Sequence, residues 1–344
     1  MHFLVTGHTG FKGAWLSLML HAQGHEVSGI ALNPQPGALF SKAGVSEVLE
    51  HDLRQDIRDF VGLYSAVASV QPDVVIHMAA QPLVRASYEL PRETVETNVM
   101  GTMHVLDAVR RIDTVQAQVI VTTDKVYRNV GLSVGYVESD PLGGHDPYSA
   151  SKAAADLIAQ SWVASFTGPP TAIVRAGNVI GGGDVSADRL LPDLLRAFAA
   201  GIPAVIRYPD AIRPWQHVLD CLSGYLTVAE ALLAGSGQGE WNFGPGEQGF
   251  VKVSEVADLA AEAWNESAGS SLSSWETSEE SHAHEAATLV LDASKAESEL
   301  NWRNRLGVAD AVAWTVDWAK QVRQEDPRLV TLRQIQEFQT RSIS

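Results

Sequence analysis

The sequence predicts an α/β chain built on a doubly wound parallel sheet, with a smaller C-terminal lobe. Three observations predict it. Short β-branched runs alternate with helical patterns through the first half, so one βαβ unit follows another. The runs are almost continuously apolar, the form strands take when helices cover both faces of a parallel sheet. Beyond Arg175 the alternation loosens into glycines, prolines and separate helices.

The elements follow in order. FLVTG at 3–7 reads as the first strand, a helical pattern covers 13–22, and EVSGIAL at 26–32 is the second strand. A helix at 60–70 leads to the strand DVVIHMAA at 73–80, and a longer helix at about 91–111 leads to QVIVTT at 118–123. A helix at about 148–166 and the strand TAIVRAGN at 171–178 close the first half. After Gly181, Gly182 and Gly183, helices at about 190–200 and 218–233 open a second lobe. Residues 266–284 are rich in Ser and Glu with little periodicity, so a loop is expected there, anchored by Trp275.

Bulk properties narrow the function. A chain of 344 residues buries a large core without disulfides. The net charge of −16 repels nucleic acid and anionic membranes overall, so neither partner is expected. An anionic ligand must then meet local Arg, Lys or backbone amides. Cys221 is the single cysteine, no basic or apolar leader precedes the first strand, and Asp220 and Glu230 interrupt the apolar run at 218–234. A cytoplasmic chain with no membrane segment is expected. The eleven histidines show no metal-ligand spacing, so no metal is expected.

Gly7, Gly10 and Gly13 lie between the first strand and a helix, the context of a dinucleotide-binding turn. Gly7 allows the tight turn, Gly10 lets backbone approach a pyrophosphate, and Gly13 lets the helix pack closely; the helix then offers free amides to the anion. The end of the second strand normally chooses the cofactor, an acid holding the ribose of NAD and an Arg the phosphate of NADP. Here it ends in Ala31, Leu32 and Asn33, with no acid and no Arg or Lys from Ser28 to Ser41. NAD is favoured. Asn33 reads either as a ribose contact or as a turn former before Pro34.

Tyr148 and Lys152 stand four apart at a helix start, so they share a face. A Tyr becomes a base at neutral pH if its pKa of about 10 falls by about 2 to 3 units, about 3 to 4 kcal/mol of preference for phenolate. One ammonium about 4 Å away at an effective dielectric of about 20 supplies roughly that. Lys152 is therefore expected to lower Tyr148. Thr122, Thr123, Asp124 and Lys125 end the fourth expected strand, where open α/β sheets place ligands.

Six segments together resemble the CDP-glucose 4,6-dehydratases of the extended short-chain dehydrogenase/reductase superfamily. They are VTGHTGFKG at 5–13, HMAAQPLVR at 77–85, TNVMGT at 97–102, DPYSASK at 146–152, RAGNVIGGGD at 175–184 and IRPWQHV at 212–218. The resemblance runs from Phe3 to about Trp318. It implies a Rossmann-type NAD-binding domain over 1–176, rejoined by about 212–248, and a lobe mainly over 177–344 that takes a nucleotide sugar. It also implies a homodimer joined through two long helices, in some members paired into a tetramer.

Carried over motif by motif, the resemblance implies that Thr123 hydrogen-bonds the sugar near carbon 4, with Tyr148 the base and Lys152 its activator. Asn98 would support the Lys152 region through water. Asp124 would protonate the leaving hydroxyl of carbon 6, and Lys125 would take the proton of carbon 5, which requires desolvation to keep part of it neutral. Gly7, Thr9, Gly10, Phe11, Lys12, Gly13, Asn33, Asp56, Ile57, Ala79 and Ala80 would hold the cofactor with Tyr148 and Lys152. Arg85, Ser87, Asn178, Arg189, Leu190, Arg213, Asn242, His284 and Glu285 would flank the substrate, Arg–phosphate pairing explaining how an acidic protein holds a dianion. The family's Trp-rich segment is here NVGLSVGYVES at 129–139, with Leu132, Val134 and Val137 in place of two Trp and an Arg. Two other readings compete. An epimerase or ketoreductase predicts small or hydroxylated residues after Thr123, not an acid and a base. A non-enzymatic dinucleotide-binding regulator predicts loss of Tyr148 or Lys152.

Overall fold

A computed structural model describes residues 1–132, 134–246, 249–268, 274–278 and 288–341. Twelve strands are described: β1 (His2–Thr6), β2 (Glu26–Ala31), β3 (His51–Arg54), β4 (Val74–His77), β5 (Ala117–Val121), β6 (Thr171–Ala176), β7 (Asn178–Ile180), β8 (Ala204–Ile206), β9 (Ile212–His217), β10 (Gly239–Phe243), β11 (Phe250–Lys252) and β12 (Trp275–Thr277). The helices of the first half are α1 (Phe11–Ala22), α2 (Leu39–Lys42), α3 (Phe60–Val70), α4 (Val84–Glu89), α5 (Pro91–Val95), α6 (Gly101–Val109) and α7 (Pro147–Ser165). Those of the second are α8 (Leu190–Ala200), α9 (Val218–Leu233), α10 (Val253–Ala268), α11 (Ser294–Glu299), α12 (Val308–Gln321) and α13 (Pro327–Thr340).

The main sheet has seven parallel strands in the order β10-β6-β5-β4-β1-β2-β3. Alternate residues feed two cores. Phe3, Val5, Val74, Ile76, Val119 and Val121 face the α1 and α9 side, while Leu4, Ile30 and Val75 face α3 and α6. That double burial is why the strands read as nearly continuous apolar runs. β3, reading HDLR, is one of the two edge strands, and its charges kept it out of the sequence expectation. The chain order reverses beside β1, between β2 and β4, so the carboxyl ends of β1, β4 and β5 open onto a crevice.

The expected helix at 91–111 is broken into three. Glu96–Met100 forms a π-helical turn between α5 and α6, and it carries Asn98 inward. The second half closes with smaller sheets, β11-β9-β7 and β12-β8, and with α12 and α13, for which the sequence reading had no counterpart. A Cβ on Gly182 would fall 2.0 Å from Trp318 Cγ, so the glycine run lets α12 lie against the loop after β7. The loop expected at 266–284 is corrected in part. α10 runs to Ala268, and Trp275–Thr277 pairs with β8 while Trp275 Nε1 donates to Asp258 at 2.8 Å. No described helix is long and apolar enough to cross a membrane, and no His/Cys/Asp/Glu cluster among the described residues could hold a metal.

Candidate active site

The glycine turn is built on contacts only glycine permits. Gly7 has φ +78° and its Cβ would meet Ala79 N at 2.8 Å; a Cβ on Gly13 would fall 2.2 Å from Gly7 O. Thr6 Oγ1 accepts from the amides of Met78 and Ala79, so its hydroxyl donates to His77 Nδ1 at 2.7 Å. His77 Nε2–H then donates to Thr102 Oγ1, whose hydroxyl donates to Asn98 O. Burial holds that imidazole neutral, at about 3, as the chain of bonds requires. The ends of β1 and β4 are thereby locked side by side. α1 begins after Gly10 with no side-chain cap and no acid in its first turn, so its amides are open to an anion. These residues fit a dinucleotide diphosphate. Thr9 donates to Leu32 O at 3.0 Å, tying the turn to the end of β2, beyond which Asn33 is exposed. Asp56 is bound by Arg58, which lowers its pKa, and Ile57 packs against Gly101.

A cavity of about 1160 Å³ extends past the carboxyl end of β5 into the second half; Lys12 borders it from α1, while Gly7, Thr9, Gly10, Phe11, Gly13, Asn33, Asp56, Ile57 and Ala79 do not line it. Lys12, Ala80, Arg85, Thr123, Asp124, Lys125, Tyr148, Lys152, Asn178, Arg189, Leu190 and Arg213 all line it. Asp146 caps α7 by accepting from Ser149 N at 2.9 Å, and Pro147 takes the first helical position. That fixes Tyr148 at the cavity wall, with the Thr123 hydroxyl near enough to lower its pKa in part. Thr123 Oγ1 donates to Asp124 Oδ1 at 2.9 Å, while Asp124 Oδ2 is buried with no partner among the described residues. Burial raises the Asp124 pKa, against the pull of Lys125 and Arg213. A protonated carboxyl beside a hydroxyl pair can donate a proton into the cavity. Lys125 is half-buried at the same wall.

Several expectations need correction. Tyr148 is not lowered by Lys152: burial raises it to about 12, and Thr123 offsets this only in part. Lys152 Nζ donates instead to Val121 O at 2.8 Å, and burial, with the charge of Lys12, holds Lys152 down to about 7. Asn98 makes direct bonds, from Nδ2 to Ser151 Oγ at 2.9 Å and to Gln81 O, and its Oδ1 accepts from Gln81 N. It therefore braces α7 beside Lys152. Ser87 does not line the cavity; its hydroxyl accepts from Tyr148 N at 3.1 Å and donates to Val84 O. Asn242 is buried in the scaffold, accepting from Tyr127 Oη and donating to Tyr136 O and Asp292 O. His284 and Glu285 lie outside the described residues.

The sequence reading missed Arg207, which lines the cavity and shares Asp188 with Arg85 at 2.9 and 2.7 Å. Nothing in the spacing marks this pair, which the turn at Asp188, with φ +60°, brings together. The segment replacing the family's Trp-rich stretch reaches the cavity at Asn129 and Gly131 and leaves Val130 and Val134 exposed. Its base is pinned by Tyr136 N to Val290 O at 2.9 Å.

Known proteins share this arrangement. A family described as GDP-mannose 4,6 dehydratase matches residues 4–315. The chain is 45% identical over 346 residues to a CDP-glucose 4,6-dehydratase of Salmonella typhimurium, covering 97% of this chain and 95% of that protein. Among solved structures, a dTDP-glucose 4,6-dehydratase of Streptomyces venezuelae with NAD and TYD bound superposes with a TM-score of 0.81 at 28% identity, covering 94% of this chain and 98% of that one. A Thermus thermophilus UDP-glucose 4-epimerase complexed with NAD gives 0.79 at 25% identity, covering 93% of this chain and 99% of that one.

Proposed function

The chain belongs to the GDP-mannose 4,6-dehydratase family, and on that premise we propose that it is an NAD-dependent CDP-glucose 4,6-dehydratase. It would convert CDP-D-glucose to CDP-4-dehydro-6-deoxy-D-glucose and water. The carrying observation is Asp124, a buried carboxyl with raised pKa and one unpaired oxygen, set beside Thr123 and Tyr148 in the cavity. An epimerase has no use for such an acid.

Bound NAD supplies a hydride acceptor for carbon 4 and a donor to carbon 6. Tyr148 removes the hydroxyl proton at carbon 4, and Thr123, on the same cavity wall, orients the hydroxyl. Tyr148 lies at about 12 in the protein alone, so its deprotonation would rest on the positive charge that an oxidised nicotinamide ring would bring beside it. Asp124 protonates the hydroxyl leaving carbon 6, and Lys125 takes the proton from carbon 5. Arg189, Arg207 and Arg213 line the cavity toward the second half and form the cationic wall for the substrate diphosphate. Arg85 and Asn178 border the same space.

The proposal includes an NAD-binding part over 1–176 with 212–248, and a sugar-nucleotide lobe mainly over 177–344. It includes a cytoplasmic homodimer, supported by exposed Val95, Met100 and Leu157 along the α5 to α7 face. Incubation with CDP-, dTDP-, UDP- and GDP-activated hexoses, with products weighed by mass spectrometry, tests the activity. Loss of one water from CDP-glucose ahead of the others is expected; no dehydration of any would refute it.

A further inference from the structure

Lys12 is an unusual second residue for a helix. A cation in the first turn opposes the helix dipole, so local helix energetics do not select it. Its ammonium donates to Tyr225 Oη at 3.1 Å and lies 5.3 Å from the centre of that ring, and no carboxylate pairs with it among the described residues. It lines the same cavity as Tyr148 and Lys152, and in sequence it stands between Gly10 and Gly13 of the glycine turn. It is in electrical contact with that wall, being one of the charges that holds Lys152 low.

We propose that Lys12 is an electrostatic tuning residue, placing a positive charge beside the nicotinamide end of the cavity so that bound NAD is more readily reduced. This rests on the reading of the cavity as an NAD site. A cofactor with its diphosphate at the glycine turn and its ring toward Tyr148 runs along the wall that carries Lys12. The oxidised ring is cationic and the reduced ring neutral, so a fixed ammonium disfavours only the oxidised form. Lys152 exerts the same push, but it is also required beside the base. Lys12 has no such second duty. Its anchor on Tyr225 keeps the ammonium in place; burial lowers its pKa, and the charge of Asp124 offsets this in part.

The test is equilibrium binding of NAD and of NADH to the full chain, read by calorimetry, in wild type and Lys12→Met. One charge within reach of the ring is worth about tenfold in the ratio of the two affinities. The variant is expected to lower the NADH-over-NAD preference by about that factor, chiefly through tighter NAD. Lys12→Gln keeps a donor for Tyr225 without the charge and should show the same fall; Lys12→Arg should keep the wild-type ratio. An unchanged ratio in Met and Gln variants overturns the proposal. Equal weakening of both forms also overturns it, making Lys12 a diphosphate ligand. A wild-type chain that binds neither form defeats the cofactor reading itself, and this proposal with it.

Discussion

Asp124, in the turn after β5, and Asp220, in the first turn of α9, are both buried carboxyls whose pKa burial has raised. Their partners differ. Asp220 accepts from the amides of Arg305 at 2.6 Å and Leu306 at 3.3 Å, so both oxygens staple the C-terminal region to α9. Asp124 uses one oxygen on Thr123 and leaves the other bare at a cavity wall. Two tyrosines repeat the contrast. Tyr127 accepts from Arg175 and donates to Asn242, whereas Tyr148 has Thr123 and the cavity. Burial marks all four; hydrogen-bonding capacity left unused beside the cavity marks the two that can do chemistry.

Asp124 offers the largest break in that comparison. Asp124→Asn and Lys125→Met should each lose at least about a hundredfold in dehydrated product while substrate still reduces bound NAD, read by absorbance of the reduced cofactor. Dehydration at the wild-type rate in both would remove the acid and the base. Tyr148→Phe should lose about a hundredfold in turnover, the lower end of what a positioned acid or base contributes, while keeping NAD binding and its thermal midpoint. Near-normal turnover would take Tyr148 out of the mechanism.

Asp220 sharpens the contrast from the structural side. Asp220→Ala strands two buried amides and should cost about 2 to 4 kcal/mol in denaturant titration, with turnover per folded molecule unchanged. The pH dependence has a definite sign. Its folded pKa of about 7 exceeds the ordinary value near 3.9, so the folded state holds the extra proton between them. Its contribution is complete below about pH 4 and is lost as pH rises through about 7. Asp220→Asn should flatten that part of the stability curve; an unchanged slope would assign it to other groups.

What the sequence made legible follows the same physics. Strands buried on both faces, such as VVIH at 74–77, announce themselves, and so does a capped helix start such as Asp146–Pro147. The edge strand HDLR does not, because its pairing lies in the backbone and its side chains are polar. Tyr148, Lys152, Thr123 and Asp124 were legible as a group by motif and spacing, and the cavity unites them. Ser87 and Asn242 were carried over beside them, yet their polar groups are engaged by neighbouring backbone and by Tyr127. Spacing cannot show which way a short polar side chain is consumed. Nor could it foresee that Lys152 would reach for Val121 O, or that burial would outweigh any lysine at Tyr148.

The central claim is that one site oxidises, dehydrates and reduces the same sugar without releasing its cofactor. CDP-glucose and CDP-4-dehydro-6-deoxyglucose plus water stand at the same oxidation level, so the hydrogen taken from carbon 4 must return to carbon 6. The most direct test is conversion of CDP-glucose deuterated at carbon 4, mixed with unlabelled CDP-glucose carrying a distinguishing carbon label, with products read by mass spectrometry and NMR. The account predicts deuterium at carbon 6 of the same molecules, solvent hydrogen at carbon 5 and no crossover. Deuterium lost from carbon 4 without appearing at carbon 6, with free NADH accumulating in step with product, would contradict it and show a simple dehydrogenase.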